Sequence, residues 1–213
     1  MTVILNNNQR SQQPSHTLPP GGIKIAEAFK LLLTGKDFSD ITIDDIVQTS
    51  GMNAALIYKY YGDKRGLLYQ LFNEGLGRYL SGLDRELKGI NGALNKLRKI
   101  VWVHVSLLKE NRVLGRILLL EARSHQSFFQ SEGYRKIRQY NAIIRDILEE
   151  GIREGDICDD LPVLMLNQIL VGAIEHLCMP WVVAGEALSE DDITEVLCRV
   201  IFKGIEANRA KKS

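Results

Sequence analysis

Proline placement constrains this chain more than any other feature. Its five prolines are Pro14, Pro19, Pro20, Pro162 and Pro180, so none falls between Gly21 and Leu161. Proline lacks the amide hydrogen and clashes with the preceding helical turn, so this long interval is open to uninterrupted helices. Within it, apolar residues recur every three or four positions, the period of one face of an α-helix. Ile25, Phe29 and Leu32/Leu33 form one stripe, and Leu97, Val101, His104 and Leu108 a second. Val113, Ile117 and Leu120 form a third, and Ile137, Tyr140/Asn141, Ile144 and Ile147/Leu148 a fourth. Sustained alternation of period two is absent. The expectation is an all-α fold of about nine helices.

Local signals divide the first third of the chain finely. Polar and turn-forming residues up to Gly22 read as a flexible tail, residues 1–22. A first helix then runs from Ile23 to Thr34, with Gly35 in the place of a C-terminal cap. Thr42 followed three residues later by Asp45 is a capping-box arrangement for a second helix ending at Ser50. Gly51 supplies a tight turn, because glycine takes the left-handed conformation without steric cost. Met52 is the apolar turn residue, Asn53 caps a short third helix from Ala54 to Tyr60, and Asp63 caps the helix after that. Helix, glycine turn and short helix form the architecture that sets a helix into the DNA major groove.

The stretch resembles the TetR (tetracycline-repressor-like) family of transcriptional regulators. The matching residues are Ile25 and Ala28, Gly35 and Phe38, Thr42 and Ile46, and Ser50-Gly51-Met52-Asn53. They continue through Ile57-Tyr58-Lys59-Tyr60-Tyr61-Gly62-Asp63-Lys64 to Leu67. The resemblance implies a three-helix helix-turn-helix DNA-binding domain over 23–68 and a larger helical effector-binding and dimerisation domain over 69–213. It also implies that Thr42, Tyr58, Tyr60 and Lys64 contact the phosphate backbone, while Tyr61, in the family's Phe place, packs the small core. Hydroxyls and an ammonium at a helix amino terminus have the right chemistry for phosphate.

One departure concerns base reading. Ala54, Ala55 and Leu56 stand where the family often carries polar residues; they can touch thymine methyls but make no bidentate hydrogen bonds. Base reading then falls to Asn53, Lys59 and Asp44. The segment is also neutral, with Lys24, Lys30, Lys36, Lys59, Lys64 and Arg65 against Glu27, Asp37, Asp40, Asp44, Asp45 and Asp63. Electrostatic affinity must come from uneven placement of Lys59, Lys64 and Arg65, with help from Arg10 in the tail.

Beyond Leu68, polar residues on apolar faces mark where a small-molecule effector could sit: Trp102, His104, Glu121, His125, Glu175 and His176. Each has a plainer reading, His104 as a satisfied core residue and Glu121 as the partner of Arg123 or another arginine. No metal motif joins them, and no cofactor is expected. Segments 161–183 and 190–207 are the most apolar. Two such helices either close the chain's own core or pair with their copies in a homodimer as a four-helix bundle. No nucleophile motif, phosphate loop or dinucleotide fingerprint appears, so no catalytic residue and no enzyme is expected. The alternatives are a small helical enzyme around Glu121/His125 or His176, or a helical protein-interaction module. Three separated cysteines, Cys158, Cys178 and Cys198, suit reduced buried thiols. No apolar run of membrane-spanning length and no signal-peptide core is read, giving a cytoplasmic expectation.

Overall fold

The computed structural model describes residues 18–205, among which there are nine α-helices and no strand. Helices α1 (Pro20–Gly35), α2 (Ile43–Ser50) and α3 (Ala54–Tyr61) make an N-terminal head. Helix α4 (Lys64–Leu87) starts in the head and runs into a body built from α5 (Ala93–Glu110), α6 (Arg112–Arg116), α7 (Glu132–Glu154), α8 (Val163–Ala184) and α9 (Glu190–Ile205). Helix α6 continues into a single π turn, Ile117–Glu121, and then two 3-10 turns, Ala122–Ser124 and Gln126–Gln130.

Helix α1 begins at Pro20, three residues before the sequence boundary, because proline's fixed φ suits the first helical position. The rest of the expected tail, residues 1–17, lies outside the described residues, as do 206–207 of the expected last helix. Gly35 ends α1 without taking the left-handed cap. Its φ is not positive, and the extended Lys36 closes the helix by donating its backbone N–H to Leu32 O.

The core runs without interruption from head to body. Ile25, Phe29, Phe38, Ile41, Ile46 and Ile57 are buried in the head, and Leu67 and Leu68 join them from the first turns of α4. Further along α4, Phe72, Leu76, Tyr79 and Leu83 are buried with body residues such as Leu97, Val101, Ile144 and Leu148. A Cβ on Gly75 would meet the Leu114 side chain at 2.9 Å, so α6 lies directly on α4. One 24-residue helix therefore belongs to both cores.

Helices α8 and α9 bury one side and expose apolar residues on the other. Leu166, Leu170, Ile174, Cys178 and Val182 face inward, whereas Leu164, Met165, Ile169 and Leu177 are exposed. On α9, Val196 and Val200 sit one turn apart and are exposed, Val200 at 68%. Contrary to the sequence reading, the 22-residue α8 is long and apolar enough to cross a bilayer by length and composition. Its inward side packs on α5, α6, α7 and α9.

The junction between α3 and α4 has no spare room. Asp63 Oδ1 caps α4 by accepting from Gly66 N at 2.6 Å, and a Cβ on Gly66 would lie 1.9 Å from the Tyr61 carbonyl oxygen. Backbone cannot yield as a flexible side chain does. Gly66→Ala is expected to destabilise the chain by about 3 kcal/mol, the upper end of overpacking costs. Urea unfolding followed by circular dichroism measures this, and an unchanged midpoint would show that the junction can open freely.

Candidate DNA interface and effector region

The head is organised around three caps. Thr42 Oγ1 accepts from Asp45 N at 3.1 Å while Asp45 Oδ2 accepts from Thr42 N at 2.8 Å, completing the capping box of α2. Lys36 Nζ also donates to Asp45 at 2.9 Å. These contacts, the Thr42 backbone hydrogen bond first, hold the Asp45 carboxyl at about 2. Gly51 has φ +66°, the left-handed conformation the turn requires. Asn53 Oδ1 accepts from Leu56 N at 3.1 Å, starting α3.

This geometry leaves one outward face on α3. Asn53, Ala55, Tyr58 and Lys59 are exposed, Tyr58 at 54%, and Ala54 and Tyr60 are half-buried. Thr42 and Asp44 are exposed at the start of α2. Ile57 faces inward and is completely buried. Tyr60 lays its ring against Gly22, and Tyr61 donates its hydroxyl to Gly22 O at 2.7 Å, with burial pushing that phenol up to about 12. The two tyrosines therefore fasten α3 to the beginning of α1, Tyr61 in the packing place the resemblance implies.

Lys64 and Arg65 are half-buried beside the α1–α2 loop. Lys64 Nζ donates to Phe38 O at 2.7 Å and to Ile41 O at 2.6 Å, and lies 4.4 Å from the centroid of the Phe38 ring. Burial, and then the neighbouring Arg65, lower the Lys64 pKa. The Arg65 guanidinium also lies over Phe38, at 5.3 Å. Lys64 Nζ also lies 3.5 Å from Ser39 O. Lys64 thus ties the start of α4 to the α1–α2 loop, and Lys59 is exposed on the outward face of α3. Arg10 lies outside the described residues.

A second tie joins the same loop to the body. Arg116, at the end of α6, forms an ion pair with Asp37. The π turn that follows ends at Glu121, whose charge is felt by Lys64. A π turn is an uncommon element that recurs at functional sites.

The six residues expected around an effector do not converge. Trp102 is partly exposed on α5, where Nε1 donates to Asp191 Oδ1 at 2.9 Å and Lys99 Nζ lies 4.8 Å from the ring. His104 is buried, its Nδ1 2.9 Å from Tyr140 Oη, with Tyr79 packed against both rings. That is the plainer core reading of His104. Glu121 lies on the side of the body facing the head. His125 is exposed, its Nδ1 2.8 Å from Ser127 Oγ, and starts the second 3-10 turn. His176 is exposed on α8. Glu175 alone lines a cleft between α7 and α8, and its carboxylate takes both Arg123 amino groups at 2.7 Å. Arg123 therefore pairs with Glu175, not with its sequence neighbour Glu121. Among the described residues no group of three His, Cys, Asp or Glu side chains could hold a metal.

Known proteins share both the pattern and the fold. Residues 25–71 match the tetR family of bacterial regulatory proteins, and 72–204 match the C-terminal region of YsiA-like proteins. The fatty acid metabolism regulator protein of Bacillus subtilis is 24% identical over 186 residues, covering 87% of this chain and 96% of that protein. The crystal structure of FadR from Bacillus subtilis in complex with stearoyl-CoA superposes with a TM-score of 0.76 at 24% identity, over 86% of this chain and 99% of that one. The ketosteroid regulator KstR2 of Mycobacterium tuberculosis gives 0.70 at 16% identity, over 90% and 97%.

The buried His104 cluster sets a pH dependence. Burial pulls the imidazole down to about 4, with Glu175 opposing the shift. The unfolded chain accepts this proton near the ordinary value of about 6.5, whereas the folded chain resists until about 4. Stability is therefore full above the unfolded value and falls as pH drops through that window, by up to about 3 kcal/mol. Urea midpoints across a pH series should show this slope in the native chain and lose it in His104→Gln. An equal slope in both proteins would assign it to other groups.

Proposed function

The chain belongs to the TetR family of bacterial regulatory proteins, and from that premise we propose that it is a cytoplasmic, homodimeric transcription repressor released from its operator by a small-molecule effector. The observation that carries the DNA-binding part is the outward face of α3, which the Gly51 turn presents beside the capped start of α2. In this reading Asn53, Ala54, Ala55 and Lys59 meet base edges. Lys59 and the free amide nitrogen of Asn53 supply hydrogen bonds, and the alanines supply contact to thymine methyls. Thr42, Tyr58 and Tyr60 lie along the phosphates, and Lys64 shapes the loop beside them.

Exposed apolar residues on α8 and α9 favour pairing with a second copy. Ile169 on α8 and Val200 on α9 belong to the kind of apolar surface that marks an interface. Two heads on a two-fold axis would enter successive major-groove turns about 34–36 Å apart, which suits a palindromic operator. For the effector we carry over the class held by the Bacillus subtilis neighbour, an acyl thioester of coenzyme A. Such a ligand releases DNA only through unequal affinity for two head spacings.

The test is a mobility-shift titration on DNA upstream of the chain's own gene, with and without stearoyl-CoA. Specific retardation relieved by the thioester is expected. Failure to retard any upstream fragment at low salt would sink the DNA-binding reading. Ile169→Asp combined with Val200→Asp should give a monomer by light scattering and weaken operator binding at least tenfold, because one head alone makes half the contacts.

A further inference from the structure

The α7–α8 cleft carries a chemical signature of its own. It encloses about 470 Å³, within the size range of small-molecule sites. Arg138 and Arg145 line it from α7, seven residues apart, or about 10 Å along the helix axis. Among the described residues neither has an ion-pair partner, whereas Arg123, at the cleft's edge, is neutralised by Glu175. Two uncompensated guanidinium groups on one wall favour an anionic occupant.

A second observation is independent of charge. Asn167 reaches the cleft from α8 and is 98% buried, at 2% exposure. Its Nδ2 donates to Asn141 Oδ1 at 2.6 Å, and Asn141 passes its own Nδ2 to Ile137 O at 2.8 Å. That chain fixes the amide's direction and leaves Asn167 Oδ1 buried without a hydrogen-bond partner. A buried acceptor left unmade costs free energy that a ligand N–H or O–H can recover. The occupant therefore carries anionic groups and also a hydrogen-bond donor.

We infer that the α7–α8 cleft is the subsite for the phosphate-bearing end of the effector, with Arg138 and Arg145 on separate phosphates and Asn167 Oδ1 accepting from an amide or amino group. This rests on the acyl-thioester reading above and deepens it. A free fatty acid has one carboxylate and no amide, so it can satisfy one cation and leaves Asn167 unpaired. A coenzyme A thioester carries several phosphate charges and the amides of its pantetheine arm, which meets both demands.

The experiment titrates native protein and the Arg138→Ala/Arg145→Ala double variant with stearoyl-CoA, coenzyme A and stearate by calorimetry, with light scattering on each protein. In the native chain stearoyl-CoA is expected to bind more tightly than stearate, and coenzyme A to compete with it. The double variant should bind stearoyl-CoA about 10- to 100-fold more weakly, from the loss of charge-assisted contacts. Its loss of stearate binding should be smaller, at most that of one charge-assisted contact, and its oligomeric mass should be unchanged. Asn167→Leu should weaken stearoyl-CoA binding while leaving stearate unaffected. Native binding of stearoyl-CoA that survives in the double variant overturns the subsite and leaves the ligand class standing. A native chain that binds no stearoyl-CoA overturns the ligand class, and the subsite with it. Dissociation of the double variant into monomers assigns the arginines to the subunit interface and also overturns the subsite.

Discussion

The attachment of Lys64 to the carbonyls of Phe38 and Ile41 is the contact on which the head depends. The α1–α2 loop has no helix to satisfy its backbone, and an ammonium group supplies donors in three directions. The aliphatic stem and charge also cover the Phe38 ring, whose edge meets Phe29 in the head core at 6.3 Å. The start of α4, the loop and the head core are therefore one unit.

That unit is tied to the body twice. Helix α4 passes from Leu67 and Leu68 in the head to Tyr79 and Leu83 in the body, and Arg116 reaches from α6 to Asp37 in the same loop. Surface ion pairs are individually weak, so the apolar continuity of α4 dominates the coupling and the Arg116 pair adds direction to it. The π turn next to Arg116 places Glu121 on this side of the body, within electrostatic reach of Lys64. Lys64 and Arg65, by contrast, hold the start of α4 against the α1–α2 loop within the head. Of Lys59, Lys64 and Arg65, Lys59 is the exposed one.

How readable each feature was in the sequence follows from how local its causes are. The capping box of Thr42 and Asp45, the Gly51 turn and the Asn53 cap involve residues within three positions of one another, and their chemistry can be read in order along the chain. Lys64 and Phe38 are 26 residues apart, and Arg123 and Glu175 are 52 apart, so their pairing depends on how helices pack. Sequence neighbours suggested Glu121 for Arg123, and the fold supplied Glu175. The six residues expected around an effector share one trait, a place on or beside an apolar stripe. That criterion finds buried groups such as His104 but says nothing about which helix faces meet. Arg138 and Arg145 lie outside the apolar stripe of α7, and the burial of Asn167 depends on how α8 meets α7, which neither segment shows by itself.

The position of that groove bears on how a ligand could act. Helix α7 packs on α4, and α8 carries the exposed face proposed to meet a second copy. A molecule seated between α7 and α8 touches the helix that packs on α4 and the helix that carries the proposed dimer face. Close-packed interiors move as discrete units and do not deform continuously. In the proposed dimer, a change in the α7–α8 separation would therefore appear as a rotation of α4 against the dimer axis, and the Lys64 contacts would pass it to the head. The distance between two α3 helices is what an operator reads through its half-site spacing. On the proposed mechanism, a ligand that favours one α7–α8 separation over the other would select one head spacing, and the free energy available for release would equal that preference and no more.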